Sequence, residues 1–330
     1  MVRDAYPAIF ALLLLGACSL HAESPALRLA TWNLEHLTAD GEGCRPRSNA
    51  DYERLRHHAT RLNADLVALQ EVEGRAAVAR VFDPATYAIE ISRRPDRDLG
   101  PCRRRGGRER SMQRTGFAIN RNRLAALGLT YRRLPDFKAI GMGSQRWGAR
   151  IRLKPVDGQG DAIQLVSLHL KAGCSYSRLE GGGDRDQCRL LLMQLGILEE
   201  WIDARASVGE RFVLLGDFNR QLDQPHDDFW AEIDDGSVCA WTPDPVLGRR
   251  CRPGTRRPDS RADLVLANAG RPFPFPFNPR YPYAIDHIVF DAVTARQIIP
   301  ASYKVLDYEG DDPAPSDHHP VSILLVFQRP

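Results

Sequence analysis

The sequence predicts an α+β fold in which β-sheets pack against each other and helices cover their outer faces. Short segments of alternating or uninterrupted apolar residues, which are typical of strands, recur from one end of the chain to the other. Only two stretches have the three- and four-residue apolar spacing of an amphipathic helix. Because strands and helices do not alternate regularly, we do not expect a sheet built from repeated βαβ units. The strands should form sheets that pack face to face, with helices outside them.

Eight segments of the chain are predicted to be strands. Residues 26–33 alternate apolar and polar side chains, which is the pattern of a strand with one buried face. Residues 66–69 form a compact apolar run, which is typical of a buried strand. The predicted strands are residues 26–33, 66–69, 116–120, 149–153, 163–170, 212–215, 285–290 and 321–327.

Two stretches are predicted to be helices and two are predicted to be loops. In the helix at residues 51–63, the side chains that share an apolar face are Leu55, Ala59 and Leu62. In the helix at residues 189–204, the apolar positions include Leu192, Leu195, Leu198 and Trp201. Residues 93–114 are rich in Arg and Gly with almost no large apolar side chains, so they form a loop. Residues 271–283 interleave Pro with Phe and Tyr, which excludes an interior strand and indicates an ordered surface loop.

The composition is that of an ordinary globular protein. Of the 330 residues, 43% are hydrophobic and 26% are charged, so the chain can bury a sizeable core. This length allows either one large domain or two small ones. The formal net charge of +3 is too small to indicate a nucleic-acid partner by itself. The local concentration of arginine in residues 93–114 is more informative.

An export signal is predicted at the amino terminus. Arg3 precedes an apolar run at residues 8–17, which is long enough for a signal sequence but too short to span a bilayer. We assign residues 1–22 to the signal peptide and residues 23–330 to the mature domain, in which we expect no transmembrane segment. The protein would then be periplasmic or secreted. Because Leu15-Gly16-Ala17-Cys18 resembles the lipobox of bacterial lipoproteins, a lipid anchor at Cys18 on a membrane is the alternative.

The cysteines agree with export. The chain has seven cysteines, and the six that remain without Cys18 can form up to three disulfides, with fifteen possible connectivities. Sequence closeness favours two pairs and leaves a third by elimination. The candidate pairs are Cys174–Cys188, Cys239–Cys251 and Cys44–Cys102. A structural zinc site is not supported, because the sequence has neither a CxxC pair nor a Cys/His cluster.

Polar residues follow apolar strands at six places, where side chains are within reach of a substrate. Each place alone has an ordinary structural interpretation, such as an Asx turn at Asp217 or a helix N-terminal carboxylate at Glu71. Together they form a pattern. The six segments are Thr31-Trp32-Asn33-Leu34-Glu35, Leu69-Gln70-Glu71-Val72, Ser167-Leu168-His169-Leu170-Lys171, Leu215-Gly216-Asp217-Phe218-Asn219, Ile285-Asp286-His287 and Ser316-Asp317-His318-His319-Pro320.

In this order, the WN, QE, GDFN and SDHxP elements resemble those of the endonuclease/exonuclease/phosphatase superfamily. This superfamily includes deoxyribonuclease I, abasic-site endonucleases, bacterial sphingomyelinases and inositol polyphosphate phosphatases. The resemblance extends from about residue 27 to residue 327, which is essentially the whole mature chain. It implies a four-layer sandwich of two packed, mainly antiparallel β-sheets flanked by helices, and it favours one domain over two.

The resemblance also implies a divalent metal site. Glu71 corresponds to the family's metal-binding Glu, Asn33 would contribute an amide oxygen, and Asp317 could add a second carboxylate. Glu35 stands where some relatives carry an Asp near the metal, and a surface position is the alternative. A hard cation bound to oxygen ligands would neutralise charge that develops on the phosphoryl oxygens. Mg²⁺ is the expected cofactor, with Mn²⁺ or Ca²⁺ as alternatives.

Five further residues are implied to be catalytic. His318 would contact the scissile phosphate and help to activate water, and Asp286 would orient the His318 ring and favour its charged form. His169 would stabilise phosphoryl charge or assist the leaving oxygen. Asp217 and Asn219 would position the attacking water and the phosphate. The identity of the general base stays open at this point.

The substrate is expected to be nucleic acid, with DNA slightly ahead of RNA. Arg146 lies where deoxyribonuclease I carries an Arg that approaches the DNA backbone, and a strand-edge Arg is the alternative. If the loop at residues 93–114 borders the cleft, its arginines would bind phosphates without base specificity. We therefore expect a monomeric phosphoric ester hydrolase, a nuclease of low sequence specificity. The alternatives are a sphingomyelinase-like lipid-headgroup phosphodiesterase, a small-molecule phosphatase and a catalytically silent binding module.

Overall fold

The computed structural model describes residues 26–102, 108–179, 186–275, 282–308, 310 and 313–326. The expected signal peptide and Cys18 lie outside the described residues, as do Arg103, Arg104 and Arg105 of the arginine-rich loop. Within the described ranges, no helix is both long enough and apolar enough to cross a membrane.

The first six-stranded sheet combines strands from both ends of the chain. Numbered in chain order, its strands are β1 (Ala26–Leu37), β2 (Leu66–Val72), β3 (Tyr87–Ile91), β4 (Arg114–Asn120), β15 (Lys304–Val305) and β16 (Val321–Val326). Their order across the sheet is β15-β16-β1-β2-β4-β3. The central pair β1 and β2 is parallel, and the other neighbouring strands are antiparallel.

The second six-stranded sheet comes from the middle of the chain. Its strands are β5 (Leu129–Arg133), β6 (Ala149–Pro155), β7 (Ile163–His169), β8 (Arg211–Asp217), β13 (Leu264–Leu266) and β14 (Asp286–Asp291). Their order is β13-β14-β8-β7-β6-β5, with β7 and β8 parallel and the other neighbours antiparallel. Two small ribbons come from the chain between β8 and β13. They pair β9 (Ser237–Val238) with β12 (Arg257–Pro258), and β10 (Trp241–Asp244) with β11 (Gly248–Cys251).

The helices are few and mostly short. They are α1 (Asn49–Leu62), α2 (Arg75–Ala79), α3 (Arg121–Ala126), α4 (Asp186–Ala206), α5 (Asp228–Ile233) and α6 (Ala292–Ala295), with a 3₁₀ turn at Ala139–Gly141. Helix α1 begins at a capping box, in which Ser48 and Asp51 bind each other's backbone N–H groups. It ends at Asn63, whose left-handed backbone (φ 46°) is a common helix terminator.

Three layers of apolar side chains hold the structure together. The core between the two sheets includes Phe117, Ile151 and Phe290. A second core, with Trp32 and Leu55, lies between the first sheet and helices α1 and α2. The third core lies between the second sheet and helices α4 and α5. The molecule is therefore the expected four-layer α+β sandwich, because each sheet buries one face against the other sheet and one against helices.

All eight predicted strands belong to the two large sheets, but their ends differ and the four edge strands, β3, β5, β13 and β15, were missed. Strand β1 continues four residues beyond residue 33, to Leu37. Strands β3 and β5 are five residues long and lie at the edges of their sheets. An edge strand packs on fewer sides, so its sequence carries a weaker apolar pattern.

Three disulfides join the pairs that sequence closeness and elimination favoured. Cys174–Cys188 connects the loop after β7 to the first turn of α4, and Cys239–Cys251 closes the ribbon of β10 and β11. Cys44–Cys102 connects the loop after β1 to the arginine-rich loop, with a Cα–Cα distance of 5.5 Å. Disulfides persist in oxidising compartments, so these bridges are consistent with an extracytoplasmic protein.

Candidate active site

The ends of the central strands of both sheets meet at one edge of the sandwich. In the second sheet, the strand register places Asp217 of β8 directly between His169 of β7 and Asp286 of β14. In the first sheet, Asn33 of β1 pairs with Gln70 of β2. Side chains that are far apart in sequence are therefore brought together by strand pairing.

A buried polar link joins the two sheets directly below this edge. The Gln70 amide nitrogen donates to Ser167 Oγ at 3.2 Å, and Thr31 Oγ1 donates to the Gln70 amide oxygen at 3.2 Å. Ser167 Oγ in turn donates to the carbonyl of Leu69 at 3.0 Å. These polar groups are buried and hydrogen-bonded, so they fix the position of one sheet relative to the other.

Both strands of the first sheet are irregular where they reach the site. The register of β1 with β2 shifts after Asn33, and the register of β2 with β4 shifts after Leu69. Glu35, His36 and Glu71 have positive φ angles of 44°, 54° and 56°. Non-glycine residues in this region cost about 1–3 kcal/mol each, and such residues cluster at functional sites. The bulges turn these side chains out of the strand pattern toward the cleft.

His318 lies at the centre of a group of acidic side chains. Its Nδ1 is 2.6 Å from Asp286 Oδ2, and its Nε2 is 3.8 Å from both Asp217 Oδ2 and Asp317 Oδ1. Burial opposes the charge on the ring, but Asp286 and Asp217 outweigh it and raise the pKa of His318 well above its ordinary value. Burial raises the pKa of Asp217 to about 7, although the charge of His318 opposes this shift. The pair therefore holds a positive ring beside a carboxyl group.

Asp217 also contacts the first sheet. The Asn33 amide nitrogen donates to Asp217 Oδ2 at 3.0 Å, and the same nitrogen lies 3.5 Å from His318 Nε2. The backbone N–H of Asn219 donates to Asp217 Oδ1 at 2.8 Å, and the Asn219 amide donates to the carbonyl of Leu170. Both carboxylate oxygens of Asp217 are thus oriented by amide donors.

His169 is held in a different state from His318. Arg146 Nε donates to His169 Nδ1 at 3.1 Å, and His169 Nε2 lies 3.4 Å from Asp217 Oδ2 and 3.7 Å from Glu71 Oε1. Burial and then the positive charge of Arg146 lower the pKa of His169 well below its ordinary value. The two histidines therefore differ in charge, with His169 neutral and His318 protonated.

Oxygen ligands that suit a hard cation line one cavity of about 650 Å³, to which Glu35, Glu71 and Asp317 contribute carboxylates. Burial and then the neighbouring Asp317 raise the pKa of Glu35, and burial raises the pKa of Asp317, with Glu71 adding to the shift. These carboxylates repel one another, and a bound divalent cation would relieve this repulsion. This donor set fits Mg²⁺, Mn²⁺ or Ca²⁺. The amide oxygen of Asn33 lies beside it and accepts a hydrogen bond from the N–H of Glu35.

A second group of possible metal ligands exists among the described residues. Asp217, Asp286 and His318 can each offer one ligand atom, and these atoms lie within 4.8 Å of one another. Two of them already share a short hydrogen bond, between His318 and Asp286. The Glu71 group consists of oxygen donors alone, so it matches the preference of magnesium and calcium more closely.

Arg47 connects the segment around Glu35, near the start of the described chain, to the segment around Pro315, near its end. This residue was not predicted from the sequence. Its guanidinium donates to the carbonyls of Glu35 and Leu34 at 2.8 Å each, and to the carbonyl of Pro315 at 3.2 Å. The side chain is buried, and burial lowers the pKa of Arg47. It thus fixes the strand end that carries Glu35 against the loop that carries Asp317.

The loop at residues 93–114 borders this cavity. Arg94, Arg97 and Arg110 line it together with Arg146 and Lys171. Burial, and then Arg97 and Arg146, lower the pKa of Arg94 to about 10. The cations therefore repel one another, and the wall they form has a surplus of positive charge that an anion would neutralise. We call these five residues the cationic wall.

An aromatic pocket of about 400 Å³ lies on the other side of His318. The rings of Phe275 and His319 stack with centroids 4.1 Å apart, and His319 also stacks on Tyr308 at 4.6 Å. The other aromatic residues that line the pocket are Tyr176, Phe273 and Tyr283. Three members of the Pro- and Phe-rich segment at residues 271–283 thus face the site, while its residues Phe277 and Tyr281 lie outside the described residues.

The structure brings all nine predicted metal, catalytic and substrate-binding residues to one edge of the sandwich, and three residues that contact Glu35 or Glu71 were missed. Arg47 and Gln113 lie in loops without a recognisable motif, and His36 directly follows Glu35. Gln113 Nε2 donates to Glu71 Oε2 at 2.7 Å, and the N–H of His36 donates to the same oxygen at 3.1 Å. Of these three residues, only His36 could have been predicted from the sequence, because it directly follows one of the six polar segments.

His287, which belongs to one of the six polar segments, has a structural position. Its Nε2 donates to the carbonyl of Arg220 at 2.9 Å, and its Nδ1 faces Asn268 Oδ1 at 3.4 Å. Burial lowers the pKa of His287 to about 4, so the ring is neutral. Along β14, side chains alternate between faces, so the residue after Asp286 points away from the cleft.

The chain belongs to the endonuclease/exonuclease/phosphatase family, whose sequence profile matches residues 30–318. Members of this family are phosphoric ester hydrolases, and the chain has their sandwich fold.

Similar solved structures include the human Nocturnin catalytic domain, which is 14% identical with a TM-score of 0.54 over 92% of this chain and 94% of that one. An endonuclease/exonuclease/phosphatase protein from Bacteroides vulgatus is 16% identical, with a TM-score of 0.54 over 92% and 99%. The AP endonuclease of Leishmania major is 17% identical, with a TM-score of 0.50 over 92% and 89%. No curated protein matches the sequence significantly.

Proposed function

We propose that this protein is an exported, divalent-metal-dependent phosphodiesterase that cleaves nucleic acid with little sequence selectivity, DNA somewhat ahead of RNA. The observation that carries the proposal is the cationic wall, because it lines the same cavity as Glu71 and Asp317. A polyanionic substrate can then place one phosphate at the carboxylates and neighbouring phosphates along the arginines. Contacts of this kind bind the backbone and do not read the bases.

In this proposal, Glu71, Asp317 and the amide oxygen of Asn33 hold the divalent ion. When bound, the ion supplies Lewis-acid stabilisation of the charge that develops on the phosphoryl oxygens. Glu35, 3.3 Å from Arg45 Nε and within reach of the N–H of Asp317, would shape the same pocket.

The protein's own groups would carry the remaining chemistry. Asp217, which the Asn33 and Asn219 amides orient, would accept a proton from the attacking water. His318 would donate from Nε2 to a phosphoryl oxygen and stabilise its charge, with Asp286 orienting the ring. His169, neutral beside Arg146, would contact the phosphate or the leaving oxygen. The charged state of His318 moves the role of base from this histidine to Asp217.

Two further features support the proposal. The three disulfides favour an oxidising compartment, in agreement with the expected signal peptide at residues 1–22. One protein of similar fold is an AP endonuclease, so the same sandwich serves a nucleic-acid substrate elsewhere. We expect the protein to act as a monomer.

The aromatic pocket beside His318 favours a second candidate function. Tyr176, Phe275 and Tyr283 could hold a choline-type cation through their ring faces, as a sphingomyelinase-like lipid phosphodiesterase would require. Such a substrate carries a single phosphate, so the cationic wall would have no partner. The two candidates therefore differ in their dependence on ionic strength.

The test is cleavage by the purified mature protein of supercoiled plasmid, RNA, sphingomyelin vesicles and bis(p-nitrophenyl) phosphate, with Mg²⁺ and with chelator. We expect nicking of the plasmid with metal, cleavage of RNA at a lower rate, and no reaction with chelator. Asp217→Asn is the matched inactive control. Cleavage of sphingomyelin alone would transfer the proposal to the lipid candidate, and cleavage in the presence of chelator would overturn the metal mechanism.

A further inference from the structure

The Cys44–Cys102 disulfide lies at the wall of the active-site cavity, among the residues that line it. Cys44 belongs to the loop between β1 and α1, and Cys102 belongs to the arginine-rich loop. Cys102 is 6% exposed, so it is packed into the protein. The bridge therefore connects the loop that follows the metal-binding end of β1 to the loop that carries Arg94, Arg97 and Arg110.

The ends of this loop are held by part-buried contacts, since the N–H of Arg93 donates to Asp136 and Gln113 donates to Glu71. In its described middle part, the contacts with other segments are made mostly by long arginine side chains. Arg94 and Arg97 both donate to the carbonyl of Ser144, and Arg108 pairs with Glu42 at 2.6 Å. The Arg108 and Glu42 side chains are 41% and 69% exposed, and ion pairs of this kind contribute little. Within the loop, the N–H of Cys102 donates to the carbonyl of Arg108 at 2.9 Å.

The positively charged arginines in and around the loop also repel one another. Arg97, Arg146 and Arg114 all oppose the charge of Arg94 and lower its pKa, after burial has done so. Without a strong tether, like charges of this density would move apart into solvent. A covalent bridge between two loops opposes this separation, because it removes most of the open conformations available to the loop.

We propose that the Cys44–Cys102 disulfide is a positioning element for substrate binding, which holds the cationic wall against the carboxylate cavity. This inference rests on the proposed function. Binding of a polyanion then depends on the bridge, because several phosphates must contact the wall at once. Hydrolysis of a small phosphodiester does not depend on it, because a single phosphate needs only the residues around Glu71 and His318.

The test compares two variants that each lack one disulfide. Cys44→Ala/Cys102→Val removes the bridge at the cavity, and an apolar residue suits the buried position of Cys102. Cys239→Ala/Cys251→Ala removes the bridge at the ribbon of β10 and β11 and is the matched control. Affinity for a fluorescein-labelled oligonucleotide is measured by anisotropy in chelator, so that no cleavage occurs. The kcat and KM values with Mg²⁺ are measured for the oligonucleotide and for bis(p-nitrophenyl) phosphate.

We expect the first variant to bind the oligonucleotide roughly tenfold more weakly, with a flatter salt dependence, since phosphate contacts are lost. Its KM for the oligonucleotide should rise similarly, and its kcat for bis(p-nitrophenyl) phosphate should stay within about twofold. The control variant should bind and cleave both substrates like the wild type. Circular dichroism establishes that each variant is folded, and Cys44→Ser/Cys102→Ser replaces the first variant if it is not.

Three results would overturn the inference: an unchanged oligonucleotide affinity in the folded variant, an equal loss with the small phosphodiester, or no oligonucleotide binding by the wild type. Failure of the proposed function would look different. In that case the wild type would cleave neither substrate with Mg²⁺, while the anisotropy measurements in chelator would still compare the two variants.

Discussion

Nδ1 of His318 lies 2.6 Å from Oδ2 of Asp286, although 31 residues separate them in the chain, and Nε2 of the same ring faces Asp217. Strand pairing creates this arrangement, since β14, which begins at Asp286, lies beside β8, which ends at Asp217. The two carboxyl groups hold a positive charge on a partly buried ring. A protonated imidazole suits stabilisation of phosphoryl charge and cannot accept the proton of water.

Replacement of Asp286 by Asn should leave the fold intact and lower kcat by about 10²–10⁴-fold, because His318 loses the carboxylate that orients and charges it. Steady-state kinetics with the plasmid substrate measure kcat, and the histidine proton signals measure the pKa of His318, which should fall. Asp223→Asn, which replaces a half-buried acid that accepts a hydrogen bond from the Asn268 amide, is the control and should retain activity. An unchanged kcat in the Asp286 variant would remove His318 from the mechanism.

Replacement of Glu71 by Gln should weaken the apparent affinity for Mg²⁺ and raise the Mg²⁺ concentration that activity requires, because the variant lacks the carboxylate that we assign to the metal. We expect activity to fall by about a hundredfold at millimolar Mg²⁺ and to recover in part at higher concentrations. Glu73→Gln is the matched control, since Glu73 lies two residues away and accepts the N–H of Ala39. Identical Mg²⁺ titration curves for wild type and the Glu71 variant would contradict the assignment.

Replacement of both Arg97 and Arg110 by Ala should weaken DNA binding mainly at low salt. Each lost phosphate contact lowers the slope of log Kd against log salt by about 0.7–0.9, so the slope of the double variant should fall by about 1.4–1.8. Binding titrations from low to moderate ionic strength measure this slope. Arg56→Ala/Arg121→Ala removes two exposed arginines outside the cavity and should leave the slope unchanged. If both double variants give the wild-type slope, the loop does not contact the DNA.

Replacement of Gly216 by Ala should destabilise the fold by about 4 kcal/mol or more, through a clash at the centre of the second sheet. Gly216 has φ 152°, and a Cβ atom there would overlap the carbonyl of Leu168 in β7. Denaturant unfolding measures the loss. Gly74→Ala is the control, because a Cβ atom at Gly74 meets no neighbour within 4 Å. Equal stability of the two variants would show that β7 and β8 are less tightly paired than the structure indicates.

The buried carboxyl group of Glu199 should make the stability of the protein depend on pH, independently of catalysis. Burial in α4 and then the neighbouring Asp203 raise the pKa of Glu199 well above its ordinary value of 4.5. As the pH rises above 4.5, the unfolded chain releases this proton before the folded protein does, so the free energy of unfolding falls.

Glu199→Gln removes this loss, so its melting temperature should exceed that of the wild type by a few degrees at pH 7 and match it near pH 4. Thermal melts between pH 4 and 8 measure the difference, with the exposed Glu53→Gln as control. Parallel curves for wild type and Glu199→Gln would show that Glu199 is not the group responsible.

The residues of the site could be found from sequence because their local pattern is distinctive. Glu71, His169 and Asp217 lie at or next to the carboxyl end of an apolar strand, and Asn33 lies where the regular pairing of β1 with β2 ends. Buried strands can be recognised from short-range apolar patterns in the sequence. The order of these motifs then identified the family and, with it, the sandwich. The same reasoning located the polar residues of β14 and of the loop before β16.

The sequence could not decide the surroundings of these residues, because they depend on contacts between loops. Arg47 donates hydrogen bonds to backbone carbonyl groups, which every residue has. The sequence therefore contains no pattern from which its partners could be recognised. The edge strands β3 and β5 lack a strong apolar pattern because they pack on fewer sides. The polar composition of the arginine-rich loop likewise does not predict where the loop lies on the surface of the protein. Only the packing of the two sheets, with the Cys44–Cys102 bridge, places its arginines beside Glu71.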